Sequence, residues 1–163
     1  VNNMIVSYHS ESEIIMRLVV SLFVVLFVVS ACQTTPAKVV TFDTVCTAEN
    51  VNQRVAISGY AFLPSTVILS SGSMLIEFYE NVSEQGKMLK VDFNVGSGSN
   101  QLAELPDNYT DGDLLIRTND NKETRYGDKI SVEGRLIRNT DSNDPSGYSC
   151  MLMDVGNIQS VSN

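Results

Sequence analysis

An all-β fold built on five main strands is predicted for residues 41–163, and two observations predict it. Runs rich in Val, Ile, Thr, Tyr and Phe alternate apolar with polar positions, the period-2 pattern of a strand with one buried face. Clusters of Asn, Asp, Gly, Ser and Pro separate these runs, and such residues are what turns require. The chain then reads in three parts: a leader over 1–31, a polar tether over 32–40 and one domain over 41–163.

The first strand opens at Arg54. Val55, Ile57, Gly59 and Ala61 alternate with Arg54, Ala56, Ser58 and Tyr60, and the run stops at Pro64. Gly59 inside it predicts a bulge or a sharp coil where a side chain would clash. Met74, Ile76 and Phe78 alternate with Leu75, Glu77 and Tyr79 as the second strand. The polar turn Asn81 to Gly86 joins it to a third, in which Leu89, Val91 and Phe93 alternate with Met88, Lys90 and Asp92. After the break at Gly96–Gly98, Asn100 to Leu105 is expected to form one helical turn ending at Pro106. Asp107 to Asp113 is an acidic loop. Leu114–Thr118 and Glu123–Tyr126 flank Asn119-Asp120-Asn121 as a small extra hairpin. Ile130, Val132, Gly134 and Leu136 give the fourth main strand. Asp141 to Gly147 is a polar loop, and Cys150 to Val155 is the fifth strand, with a tail running on to Ile158.

A long glycine-kinked first strand, five strands in all and a connector between the third and fourth match the layout of an OB-fold, a Greek-key barrel. The run Arg54-Val-Ala-Ile-Ser-Gly-Tyr-Ala-Phe-Leu-Pro64 and the run Tyr126-Gly-Asp-Lys-Ile-Ser-Val-Glu-Gly-Arg-Leu136 resemble the first and fourth strands of small bacterial OB-fold proteins. These are nucleic-acid-binding-OB-like domains also found in exported proteins. The resemblance covers residues 50–158 and implies a fold more than an activity.

The leader carries a second resemblance. Met16 and Arg17 precede twelve uncharged residues, Leu18 to Val29, and then Val29-Ser30-Ala31-Cys32. A basic start, an apolar run too short to span a bilayer and small residues before a cut describe a secretory signal. The final tetrapeptide resembles the lipobox of bacterial lipoproteins. That resemblance implies cleavage before Cys32 and acylation of Cys32, palmitate included, and so a membrane anchor. Residues 1–15 contain Glu11 and Glu13 and no Lys or Arg, which points to Met16 as the start, the alternative being that Val1 reflects an alternative start codon. Gln33 follows the cysteine. An Asp there signals inner-membrane retention in such lipoproteins, so Gln33 implies the outer membrane, with the body in the periplasm or at the cell surface.

Removing residues 1–31 leaves 10 basic and 17 acidic residues. Nucleic-acid binding draws on counterion release by a basic surface, so this balance argues against that partner. His9, the sole histidine, lies in the leader. The mature chain therefore lacks the imidazole that Ser-His-Asp and Cys-His catalysis need, and lacks histidine-based zinc sites as well. No enzyme, cofactor or metal site is expected. The acidic stretches Asp111-Gly112-Asp113 and Asp141-Ser142-Asn143-Asp144 miss the spacing of a calcium loop and read as solvated turns.

Cys46 and Cys150 remain after lipidation, and an even pair in an oxidising compartment predicts a disulfide. Two buried free thiols or a redox pair are the alternatives, the latter without its usual C-x-x-C spacing. OB domains bind on the outer face of strands two and three. Here that face would present Leu75, Glu77 and Tyr79 beside Met88, Lys90 and Asp92, with Tyr60 nearby. Tyr60 and Tyr79 either stack on a base or sugar ring or simply cover the barrel edge. Leu75 and Met88 suit an envelope protein partner or self-association. The expected role is a binding or assembly module, with oligosaccharide or small-ligand binding and extracellular nucleic-acid binding as the alternatives.

Overall fold

The computed structural model describes residues 36–66, 69–70, 72–138 and 150–162. Residues 1–31, expected to form a signal, Cys32 and the loop holding Asp141 and Asp144 lie outside the described residues. Ten strands are present among them: β1 (Lys38–Val39), β2 (Arg54–Phe62), β3 (Leu69–Ser70), β4 (Ser73–Tyr79), β5 (Met88–Asn94), β6 (Gln101–Leu102), β7 (Leu115–Arg117), β8 (Glu123–Arg125), β9 (Lys129–Arg138) and β10 (Cys150–Ser160).

Five of them close a mixed barrel, as the sequence predicts for an OB-like fold. β2 pairs antiparallel with both β4 and β9, β4 with β5, and β9 with β10. The parallel pairing of β10 with β5 completes the ring. Alternation places Val55, Ile57, Ile76, Phe78, Val91 and Phe93 inside, each at most 1 % exposed.

The barrel coils tightly enough to bring backbones together at two glycines. A Cβ on Gly59 would lie 2.4 Å from the carbonyl oxygen of Tyr79, and one on Gly134 would lie 2.6 Å from that of Met153. Only a residue without a side chain fits at such contacts. The clash predicted at Gly59 is thus present. β10 is longer than expected: it runs through Ser160 as one strand, shifting register between Met153 and Asn157, with Asp154 at φ 52°. That is a β-bulge, which lets one strand serve two stretches of β9.

Different segments cover the two barrel ends. Phe42 stacks on Phe78 with ring centroids 6.0 Å apart, and Asp43 pairs with Lys87, so the segment before β2 closes the end holding the Phe78–Leu89 pair. The connector between β5 and β9 closes the other. Here the expectation of a helical turn over Asn100–Leu105 is corrected: Gln101–Leu102 is β6, paired antiparallel with β7, which pairs with β8. Leu102, Leu114 and Ile116 are at most 1 % exposed and plug the core. A strand wins because the Leu115–Arg117 backbone offers a ladder, and a single helical turn has no comparable source of stability. The β7–β8 hairpin is as predicted.

Among the described residues, no buried side-chain nitrogen or oxygen lacks a hydrogen-bond partner. Asn50 donates to the Thr44 carbonyl at 2.8 Å and accepts from Lys38 Nζ at 2.8 Å, which also anchors β1. Asn100 Oδ1 accepts from the Ile158 amide at 2.7 Å and ties the plug to β10. Cys46 and Cys150 form a disulfide, with Cα atoms 5.5 Å apart across 104 positions. It joins the segment before β2 to the start of β10.

Candidate binding face

The outer face of β4 and β5 is ordered by their register. Leu75 stands opposite Asp92, Glu77 opposite Lys90 and Tyr79 opposite Met88. The β2–β4 ladder sets Tyr60 opposite Tyr79. Directly opposite residues of an antiparallel pair share a face, with Cβ atoms about 5 Å apart. Tyr60, Leu75, Tyr79, Met88 and Lys90 therefore form one contiguous surface. None is fully exposed. Leu75 and Met88, expected to be open, are half-buried, because side chains opposite and diagonal to them in the ladder cover part of each.

Both tyrosines have partners within the protein. The Tyr79 hydroxyl donates to Glu77 Oε2 at 3.2 Å. Its ring meets Phe62 edge-on at 5.3 Å, and Phe62 meets Tyr126 edge-on at the same distance. The Lys129 ammonium lies 5.9 Å from the centre of the Tyr60 ring, within cation–π range. Phe62 shares its strand parity with Tyr60 and so points outward, yet it is 1 % exposed. Tyr79 and Tyr126 roof it, which makes a small aromatic cluster outside the barrel core. Phe62, Tyr126 and Lys129 were not among the residues singled out from sequence. The signal for Phe62 was its parity; for the other two the signal lies only in the β2–β9 pairing.

Charge on this face is mixed. Lys90 and Lys129 stand with Glu77 and Asp92, and Glu77 also accepts the Tyr79 hydroxyl. Two stronger electrostatic centres lie elsewhere. Asp120 is held down to about 2 by hydrogen bonds from Lys122 and Thr118 in the β7–β8 turn. Glu133, on β9, is lowered by Arg54 Nε at 2.5 Å and by Asn157 Nδ2 at 3.1 Å.

The acidic stretch at 111–113 folds as a short 3-10 turn. Asp113 Oδ2 accepts from the Thr110 amide at 2.7 Å and from its hydroxyl at 2.9 Å, a capping arrangement that occupies the carboxylate. Among the described residues no three His, Cys, Asp or Glu side chains converge as a metal site would need.

No protein-family model matches the chain, and no curated protein matches it. Solved structures do. One is described as an aspartyl-tRNA synthetase from Leishmania major Friedlin, with TM-score 0.46, 11 % identity and 82 % of this chain covered. The match spans 22 % of that much longer chain. Another is the OBody AM1L10 bound to hen egg-white lysozyme, with TM-score 0.38, 11 % identity, 80 % of this chain and 100 % of that one.

Proposed function

We propose that this chain is a lipid-anchored protein of the cell envelope whose OB-like barrel works as a non-enzymatic binding or assembly module. The observation that carries the reading is the surface where Tyr60, Leu75, Tyr79 and Met88 meet, half-buried and contiguous, with Lys90 and Glu77 at its centre. Aromatic and Met-containing patches with internally balanced charge suit a protein partner, because little isolated charge must be desolvated on docking. Anchoring is supported by the Met16–Cys32 pattern. The mature chain carries no histidine for acid–base work, which favours binding over chemistry.

In-cell crosslinking followed by mass spectrometry tests the reading. Capture of one recurrent envelope protein is expected, lost in Leu75→Asp while thermal unfolding stays within a few degrees of the parent. Undiminished capture by Leu75→Asp would remove this face from the reading. A Cys32→Ser chain should leave the membrane fraction and lose incorporation of a palmitate analogue. Oligosaccharide binding is the second reading, favoured by the cross-strand Tyr60–Tyr79 pair. It predicts a melting shift with envelope glycans that vanishes in Tyr79→Ala, and a glycan panel without any shift would count against it. Nucleic acid is disfavoured by the net charge of −8.

A further inference from the structure

β2 and β4 part company after the Phe62–Glu77 pair. Two positions on is Pro64, which has no N–H to give a ladder, and the first residues of β4 pair with β3 instead. The divergence opens a wedge that the connector bridges: the Tyr109 hydroxyl donates to the Pro64 carbonyl at 2.7 Å. Two clefts share Tyr109 and Asp107 as a common wall. One, of about 400 Å³, has an apolar lining of Met74, Val95, Leu105 and Pro106. The other, of about 750 Å³, runs along Leu63–Ser65 to Glu77, Glu84 and Asp111.

Carboxylates rim both clefts, and among the described residues no Lys, Arg or His lines either. Glu77 is engaged by Tyr79 and faces Lys90, while Glu84, Glu104, Asp107 and Asp111 are exposed. These charges are spread along the groove and not gathered at one point, so an extended cation fits them better than an ion. The apolar pocket beside them calls for a hydrophobic group on the same ligand. Together the clefts offer more room than one drug-sized molecule fills.

We propose that this groove takes an extended basic segment of a protein partner, one apolar side chain entering the Met74–Pro106 pocket and Lys or Arg lying along Asp107, Glu84 and Asp111. Charge complementarity selects the occupant: a nucleic acid would be repelled, and a polyamine would leave the apolar pocket empty. The groove lies beside the β4–β5 outer face and shares Glu77 with it, but its affinity does not depend on Leu75 or Met88.

Fluorescence anisotropy on the full chain, with a short labelled peptide alternating Lys and Leu, tests this. Binding should weaken as salt rises. Asp107→Lys and Glu84→Lys, both at exposed positions, should each weaken it roughly tenfold, about 1.4 kcal/mol, with unchanged thermal unfolding. Replacing the peptide's Leu by Ser should weaken it by a similar factor. Equal binding of a Glu-Leu peptide, unaltered affinity in both charge variants, or full retention by the Lys-Ser peptide with displacement by spermine would each overturn the inference. Loss of peptide binding in Leu75→Asp would also overturn it, by moving the peptide to the β4–β5 face and leaving the proposed function standing. Normal peptide binding in Leu75→Asp is the supporting result.

Discussion

Glu133 is the residue whose electrostatics bear most directly on stability. Arg54 and Asn157, one from each neighbouring strand, both hydrogen-bond its carboxylate. The carboxylate holds three strands of the barrel together wherever it is charged. Because its folded value is lowered, that contribution is complete above the ordinary glutamate value near 4.5 and is lost as pH falls through the depressed folded value. Glu133→Gln should therefore cost roughly 1 kcal/mol near neutrality. In urea titrations across pH, the gap between parent and variant should close on the acid side. A gap that stayed constant down to the lowest pH would mean the charge is not what Arg54 and Asn157 recognise. Tyr126 offers a second test at this scale. Its ring covers Phe62, so Tyr126→Ala should lower stability by about 1–2 kcal/mol, combining a lost edge-on contact with new apolar exposure. An unchanged denaturant midpoint would mean that Tyr79 alone shields Phe62.

Elements were legible where a single strand carried its own evidence. β2, β4, β5 and β9 alternate over seven residues or more, and burial follows that alternation in the structure except at Phe62, the last residue of β2. The candidate face was legible for the same reason: once β4 and β5 pair as a hairpin, the parity of Leu75, Tyr79, Met88 and Lys90 sets them on one side. β1, β3 and β6 were not legible. Each is two residues long and exists only because a longer strand offers a ladder. The helical turn expected over Asn100–Leu105 failed because local spacing cannot see the β7 backbone that captures Gln101 and Leu102. Phe62, Tyr126 and Tyr109 were missed as site residues for a related reason. Their partners stand far away in sequence, and the groove at Pro64 takes shape only when the connector folds across the divergence of β2 and β4.

At the scale of the molecule, the barrel depends on pairings distant in sequence. The β5–β10 parallel contact closes it, and the Cys46–Cys150 disulfide fixes the start of β10 against the segment entering β2. Closing a loop of that length restricts the unfolded chain and contributes roughly 4–5 kcal/mol in the chain-entropy picture. Reduction, or paired Cys46→Ala and Cys150→Ala substitution, should lower the melting temperature by well over ten degrees, read by circular dichroism with and without reductant. A shift of a degree or two would mean that the β9–β10 ladder already confines this corner.

The same crosslink sets how the molecule bears a mechanical load. Pulled between Pro36 and Val161, the oxidised chain passes tension from Cys46 straight to Cys150, and every residue from Thr47 onward up to that point is bypassed. Only the short terminal stretches can pay out, roughly 80 Å of contour, whereas reduction would release roughly 360 Å more. β2, β4, β5 and β9, with the face they display, therefore add no length to the extended chain while the crosslink holds. Tension on a domain held at one end and pulled at the other would peel β1 from β2 and β10 from β9 and β5, and extension would stop at the crosslink.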